Sequence, residues 1–261
     1  MDDKQIAALA DRIAEGRRSR KVMDFLAADT ATLSEADSYK VQFAVHDRLT
    51  ADGKDRMAGW KIALTLPTQY EPMKLSGPVF AGLYDSGVKP SGTVFEKGWP
   101  LKAGIECEMV AKMAKDVTTA VTADSIKGFV AHLHCGAEVV ENRYGDVTKV
   151  SGPGRIADDV LQAACIVGTE INDWQKLDFA AVKGRSMFDD KEIGGGPGAN
   201  VMGGAMIALA WLANKLQEHG KHLKAGDVIL TGSVHTPVFL PGPGVTKTEF
   251  VGLGGTETTF K

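Results

Sequence analysis

Apolar residues recur at helical spacing at the start of the chain. Ile6, Leu9 and Ile13 share one face, Asp3 is placed to cap and Gly16 to end the run, so the pattern predicts a helix over 3–16. A second helix is expected from Ser34, with Val41, Val45 and Leu49 on one face and Gly53 as its stop. These two elements make an N-terminal helical region of residues 1–55.

The texture then changes. Trp60–Leu64 and Ile105–Ala111 carry the short apolar runs of strands, Pro78–Leu83 reads as a strand or a loop into Asp85, and Glu138-Val139-Val140 is extended. Between them, Thr122 is expected to cap a short helix reaching about His132. Gly194–Gly198 has the composition of a loop. Asn200 is expected to open the longest amphipathic helix, with Met202, Met206, Leu209, Leu212 and Leu216 three or four residues apart and Gly220 closing it. Val228–Thr231 and two terminal strands follow, around a turn at Pro241-Gly242-Pro243-Gly244. Strands and helices do not alternate regularly, which points to an α+β fold with residues 56–261 as one β-rich domain.

The chain has 261 residues, 44% apolar and 24% charged, enough to bury a full core. A formal net charge of -3 gives no electrostatic pull toward nucleic acid or an anionic membrane. The one basic run, Arg17-Arg18-Ser19-Arg20-Lys21, is expected to be the solvated end of the first helix. Three cysteines, Cys107, Cys135 and Cys165, lack paired spacing and suit a reducing compartment. No signal-peptide core or membrane-spanning apolar run is evident, and a cytoplasmic protein is expected.

Several motif classes are absent. Gly194–Asn200 lacks the Lys-Ser/Thr pair of a phosphate loop, and Gly252-Leu253-Gly254-Gly255 lies too near the C-terminus for a dinucleotide fold. There is no Gly-x-Ser-x-Gly elbow and no Cys-x-x-Cys pair. Glu106 and Glu108, one residue apart in an apolar strand, point to the same face. If that face is buried, the two need a shared proton or a hard cation such as Mg²⁺ or Mn²⁺; if it faces water, they need neither. Glu138 and Glu141 would face opposite sides of a strand, so at most one joins that pair, and His132 and His134 are competing ligands or ordinary helix-end residues. Lys61, inside an apolar strand, must reach water or a carboxylate, and Asp85 follows an apolar stretch as a candidate acid or base.

A set of motifs spaced through the chain then narrows the reading. Gly59-Trp60-Lys61-Ile62, Ile105-Glu106-Cys107-Glu108, Ala137-Glu138-Val139-Val140, Asn172-Asp173-Trp174, Ala210–Leu216 and Gly226–Ser233, in that order, resemble the 2-oxopent-4-enoate hydratase and 4-oxalocrotonate decarboxylase family of the fumarylacetoacetate hydrolase superfamily. The resemblance implies a β-rich mixed roll with an N-terminal helical region. It implies Mg²⁺ or Mn²⁺ held by Glu106, Glu108 and Glu138, with Lys61 and Asp85 catalytic and Ser233 and His235 on the substrate. It further implies water addition to a small 2-oxo or 2-hydroxydienoic acid in a meta-cleavage type pathway, with decarboxylation or carbon–carbon hydrolysis as alternatives. Homo-oligomers are expected, with association to a related pathway enzyme as a variant of that arrangement.

The chain also departs from the family pattern. Gly204-Ala205-Met206-Ile207 replaces a His-Pro-Leu-Asn block, Gly104 an arginine, Ala157-Asp158-Asp159 a Ser-Asp-Asn stretch, and His235 a threonine. The surroundings of the site are therefore expected to differ more than the metal ligands, and a catalytically silent partner subunit is the remaining alternative.

Overall fold

The computed structural model describes residues 1–261. Helices α1 (Asp3–Ser19), α2 (Leu26–Asp29) and α3 (Glu35–Thr50) precede the first strand. The strands are β1 (Met57–Ala63), β2 (Val79–Tyr84), β3 (Val88–Pro90), β4 (Thr93–Phe95), β5 (Ala103–Met113), β6 (Val130–Glu141), β7 (Gln162–Glu170), β8 (Lys183–Phe188), β9 (Lys191–Pro197), β10 (Val228–Ser233), β11 (Val238–Phe239), β12 (Gly244–Phe250) and β13 (Gly254–Phe260). Between them lie α4 (Pro67–Tyr70), α5 (Gly152–Ala157) and the long α6 (Ala205–Glu218).

The larger sheet runs β2-β1-β10-β5-β6-β7-β3, with β11 extending the edge of β5; the smaller runs β4-β13-β12-β8-β9. Most neighbours are antiparallel, but β1–β10, β3–β7 and β4–β13 are parallel. The two sheets pack face to face as a mixed α+β roll, as expected. The main core lies between the large sheet and α6, where Trp60, Ile62, Phe80, Met109 and Leu133 meet Leu209, Leu212 and Leu216. Each such fully buried leucine contributes roughly 1.5–3 kcal/mol over leaving it in water. No helix is long and apolar enough to cross a membrane.

Helix α1 is capped one residue earlier than expected, by the Asp2 side chain accepting from the Gln5 amide. It also runs three residues past Gly16. That glycine does not terminate the helix; a Cβ there would strike Met23 Sδ at 2.4 Å, so it serves close packing. The extension carries Arg17 inward: its side chain is 11% exposed and ion-paired, not solvated. The helices α1 and α3 share a core cluster with Val140, Tyr144, Ala157 and Leu161, so the helical region is packed onto the roll.

Three other expectations are corrected. Thr122 and Ser125 form a hydrogen-bonded turn, but only a single 3₁₀ turn (Ser125–Phe129) follows, and His132 and His134 lie on β6. Val130, Leu133 and Cys135 bury toward the core on a strand paired on both sides, which outweighs the local helix signal. Gly194–Gly196 is not a loop but part of β9. The absent side chains leave room for the His235 ring beside Gly194 and for the Val234 carbonyl beside Gly196. The amphipathic helix opens at Ala205, not Asn200, because Met202, Gly203 and Gly204 all take positive φ; Met202 therefore lies outside the helix.

Candidate metal centre

Strand pairing brings the acidic residues together. Glu106 and Glu138 are direct partners across β5 and β6, and Glu108 lies two residues along the same face of β5. One oxygen from each of Glu106, Glu108 and Glu138 lies within 4.8 Å of the others. Glu108 and Glu138 are buried and Glu106 keeps partial exposure. Cys107, between the two glutamates, points the other way into the core.

A buried lysine and one backbone amide complete the cluster. Lys61, on β1, is 1% exposed. Its Nζ donates to Glu138 Oε2 at 3.1 Å and to the Val160 carbonyl at 2.7 Å. The same Nζ lies 2.8 Å from Glu138 Oε1, but the direction is wrong for a hydrogen bond, and Oε1 is left buried without a donor. Glu108 Oε2 accepts from the Gly232 amide at 2.8 Å, where φ is +107° at the end of β10.

Crowding of like charges sets the acidity. Burial first, then the neighbouring Glu138, pushes the Glu106 carboxyl up to about 8. Burial, Glu138 and Glu106 push Glu108 well above the usual range. Burial also raises Glu138, opposed by Lys61. A raised folded-state value means the folded cluster holds a proton that the unfolded chain has released. The metal-free fold is therefore expected to lose stability as pH climbs from the ordinary 4.5 toward about 8. A cation must displace that proton, so its affinity rises over the same span, by up to ~10-fold per pH unit for each proton released. Calorimetric Mn²⁺ titrations across that interval check this, and affinity independent of pH would contradict the shared proton.

The donor set fits a hard divalent ion. Three carboxylates against one ammonium leave two negative charges when all are ionised, which a divalent cation cancels. Oxygens on opposite sides of a cation with ~2.0–2.6 Å bonds stand ~4–5 Å apart, which matches the cluster. Glu138 Oε1, ion-paired to Lys61 at 2.8 Å but accepting no hydrogen bond, is an oxygen open to such a partner.

The remaining sequence candidates are distributed differently. Ser233 is the register partner of Glu108, and its hydroxyl donates to the His235 carbonyl at 2.6 Å, ordering the loop after β10. The His235 ring lies between Ser186 Oγ and the Thr236 carbonyl, both at 2.7 Å, and burial lowers its pKa. Asp85 is not brought into the cluster. It is half-exposed, faces Arg56, and follows β2 four residues beyond Ala81, the partner of Lys61, a separation of roughly 13 Å at strand rise. Glu141 faces away from the cluster, accepting from the Leu101 amide and Arg143. His132 and His134 bond instead to Glu170 and the Gly168 carbonyl near the edge of the roll.

Sequence reasoning missed a second buried polar group beside this centre. Asp159, fully buried, accepts from Arg17, His46, Tyr84 and the Gly82 amide. Arg143 bridges Asp158 and Glu141. The only sequence signal for this group was the Ala157-Asp158-Asp159 departure.

No family model matches the chain. It is 28% identical to the 2-keto-4-pentenoate hydratase of Burkholderia vietnamiensis (strain G4 / LMG 22486), over 99% of this chain and 98% of that protein. It is 25% identical to a 4-oxalocrotonate decarboxylase of Pseudomonas putida, over 100% and 98%. The structure superposes on the 4-oxalocrotonate decarboxylase from Pseudomonas putida G7, complexed with magnesium and adipate, with a TM-score of 0.92 at 22% identity, covering 100% of this chain and 99% of that one. The likeness to 2-keto-4-pentenoate hydratases and 4-oxalocrotonate decarboxylases runs end to end through the sequence, and the fold is that of the solved decarboxylase.

Proposed function

We propose that this protein is a divalent-metal-dependent lyase that adds water to a 2-oxo or 2-hydroxydienoic acid, with Glu106, Glu108 and Glu138 holding Mg²⁺ or Mn²⁺. The observation that carries the reading is the convergence of three carboxylates, Glu108 and Glu138 buried and Glu106 partly exposed, with one oxygen of each within 4.8 Å of the others. The full-length likeness to 2-keto-4-pentenoate hydratases supports the substrate class.

When bound, the ion would supply Lewis acidity toward the carboxylate and 2-oxo oxygens of the substrate. The chain's own residues do the rest. Glu106, the ligand that keeps solvent contact, lies on the accessible side of the cluster. Lys61 Nζ, held against Glu138, supplies positive charge where enolate charge develops and is the nearest amine for proton transfer. Burial around Glu108, Glu138 and Lys61 keeps bulk water from screening these charges. Ser233, beside Glu108, and the His235 loop it orders form the candidate substrate-facing rim. Asp85, at the far end of β2, is given no part in the chemistry.

A decarboxylase is the second reading, favoured by the close structural likeness to a 4-oxalocrotonate decarboxylase. Both reactions pass through the same enolate. A panel of 2-hydroxydienoic and 2-oxo acids, assayed with and without Mg²⁺ or Mn²⁺ and with product identification, separates them. Hydration of 2-hydroxypenta-2,4-dienoate supports the first reading. Release of carbon dioxide from 2-oxo-3-hexenedioate without hydration supports the second, and no metal-dependent turnover of any member overturns both.

A further inference from the structure

Three consecutive residues that are not glycine, Asp159, Val160 and Leu161, take positive φ of 54°, 46° and 65°. Val160 is β-branched, the side-chain class that least tolerates this region. Such a run persists only where its surroundings hold it. Here the Val160 carbonyl, at the centre of the run, accepts from Lys61 Nζ at 2.7 Å. It is one of two groups that accept hydrogen bonds from that amine, the other being the Glu138 carboxylate.

The hold is the Asp159 carboxylate. Oδ1 accepts from the Gly82 amide at 2.9 Å and stands 2.7 Å from His46 Nε2; Oδ2 accepts from Arg17 Nη1 at 2.7 Å and the Tyr84 hydroxyl at 3.1 Å. These partners come from α1, α3 and β2, so two of the N-terminal helices and the sheet clamp one side chain. Gly82 leaves the space: a Cβ there would lie 2.7 Å from the His46 ring. Burial alone would push the Asp159 carboxyl up, but His46, Arg17 and the Gly82 amide outweigh it and hold it below the usual range.

We propose that Asp159 is a positioning residue, clamping the left-handed turn Asp159–Leu161 so that the Val160 carbonyl seats the Lys61 amine against Glu138. The N-terminal helices thereby reach the metal centre through a hydrogen-bonded chain rather than by supplying a group to it. The catalytic consequence rests on the proposed lyase reading; the seating of Lys61 does not.

The test measures Lys61 itself. The full chain, Asp159→Asn and Tyr84→Phe are treated under native conditions with a small amine-acylating reagent, and labelling is read peptide by peptide by mass spectrometry. Lys54, whose side chain is 84% exposed, is the internal reference, and the buried Cys107, Cys135 and Cys165, probed with a thiol reagent, report general loosening. Asparagine offers one acceptor oxygen where the carboxylate offers two, so it cannot keep all four donors. Lys61 labelling relative to Lys54 is expected to rise about tenfold or more in Asp159→Asn and less in Tyr84→Phe, with cysteine labelling unchanged. In dienoate turnover, Asp159→Asn is expected to lower kcat while KM stays within about twofold.

Unchanged Lys61 labelling in both variants overturns the proposal, as does a rise matched by the cysteines. If Asp159→Asn does not fold, Tyr84→Phe, which removes one hydroxyl, decides by the same readout. Selective Lys61 labelling in a chain that turns over no dienoate upholds the positioning role and sinks the hydratase reading instead.

Discussion

Replacing Glu106 with alanine abolishes metal-dependent turnover and at the same time makes the metal-free protein no less stable. Glu106 is one of three carboxylates whose oxygens lie within 4.8 Å of each other, and it is the one that keeps solvent contact. Loss of a partner in the shell outside a metal's own ligands already costs ~10–100-fold in affinity, so loss of a ligand is expected to weaken Mn²⁺ binding by more than ~100-fold. Loss of the charge stabilisation that depends on the ion lowers turnover by ~10²–10³-fold or more. In the absence of metal the sign reverses. Burial and Glu138 push the Glu106 carboxyl up to about 8, so its ionised form is unwelcome in the fold at neutral pH. Removing it relieves Glu108 and Glu138, and the metal-free melting temperature should hold or rise. Calorimetric Mn²⁺ titration, thermal melts with and without metal, and steady-state kinetics read these three effects. Full turnover in the alanine variant, or in the unaltered protein under chelator, would sink the metal mechanism.

Much of the fold was legible because its core elements obey a simple period. The face of α6 formed by Met206, Leu209, Leu212 and Leu216 and the runs of β1, β2 and β5 are written in local apolar spacing. The misreadings fall where tertiary contacts override a local signal. Thr122 and Ser125 do form the expected capping turn, but β6 pairs with β5 from Val130 and with β7 from His134, and claims His132 and His134 for the sheet. Gly194–Gly196 resembles a loop in composition, yet these glycines sit in β9 to admit the His235 ring and the Val234 carbonyl. Gly16 resembles a helix stop, yet it makes room for Met23. A glycine selected for close approach and one selected for a turn look the same in sequence.

The site divides along the same line. The one-residue spacing of Glu106 and Glu108 states their common face, and the structure adds the burial under which that face needs a shared proton or a cation. Glu138 and Glu141 were separable as lying on opposite faces, but which face carried the pair depended on the register of β5 against β6. Asp85 illustrates the opposite case. Its place after an apolar run made it a candidate, but the run is β2, antiparallel to β1, so it ends at the opposite end of β1 from the cluster. The Asp159 clamp was not legible because its partners are 113 residues away at His46 and 142 at Arg17. No periodicity encodes contacts at that separation.

Lys61→Met is expected to move catalysis and metal binding in opposite directions. The amine is 1% exposed, and its charge faces the same Glu138 that completes the acidic trio. A general acid or a charge aimed at a developing enolate contributes ~10²–10⁴-fold, so kcat should fall by that order. The ammonium also repels any cation entering the trio: unit charges ~4 Å apart interact by ~4 kcal/mol at an effective dielectric near 20. Much of that repulsion is offset by relaxation and by ionisation of the neighbours, and Mn²⁺ affinity is expected to rise by about tenfold. Without metal, the variant leaves a buried carboxylate unpaired, a defect that costs ~3–5 kcal/mol when the charge cannot be neutralised. Protonation of Glu138 removes part of this cost, and an added cation removes the rest. The melting temperature of Lys61→Met should therefore respond to Mn²⁺ more strongly than that of the unaltered protein. If affinity and kcat instead fall together, Lys61 acts by building the metal seat, and its direct role toward the substrate is lost.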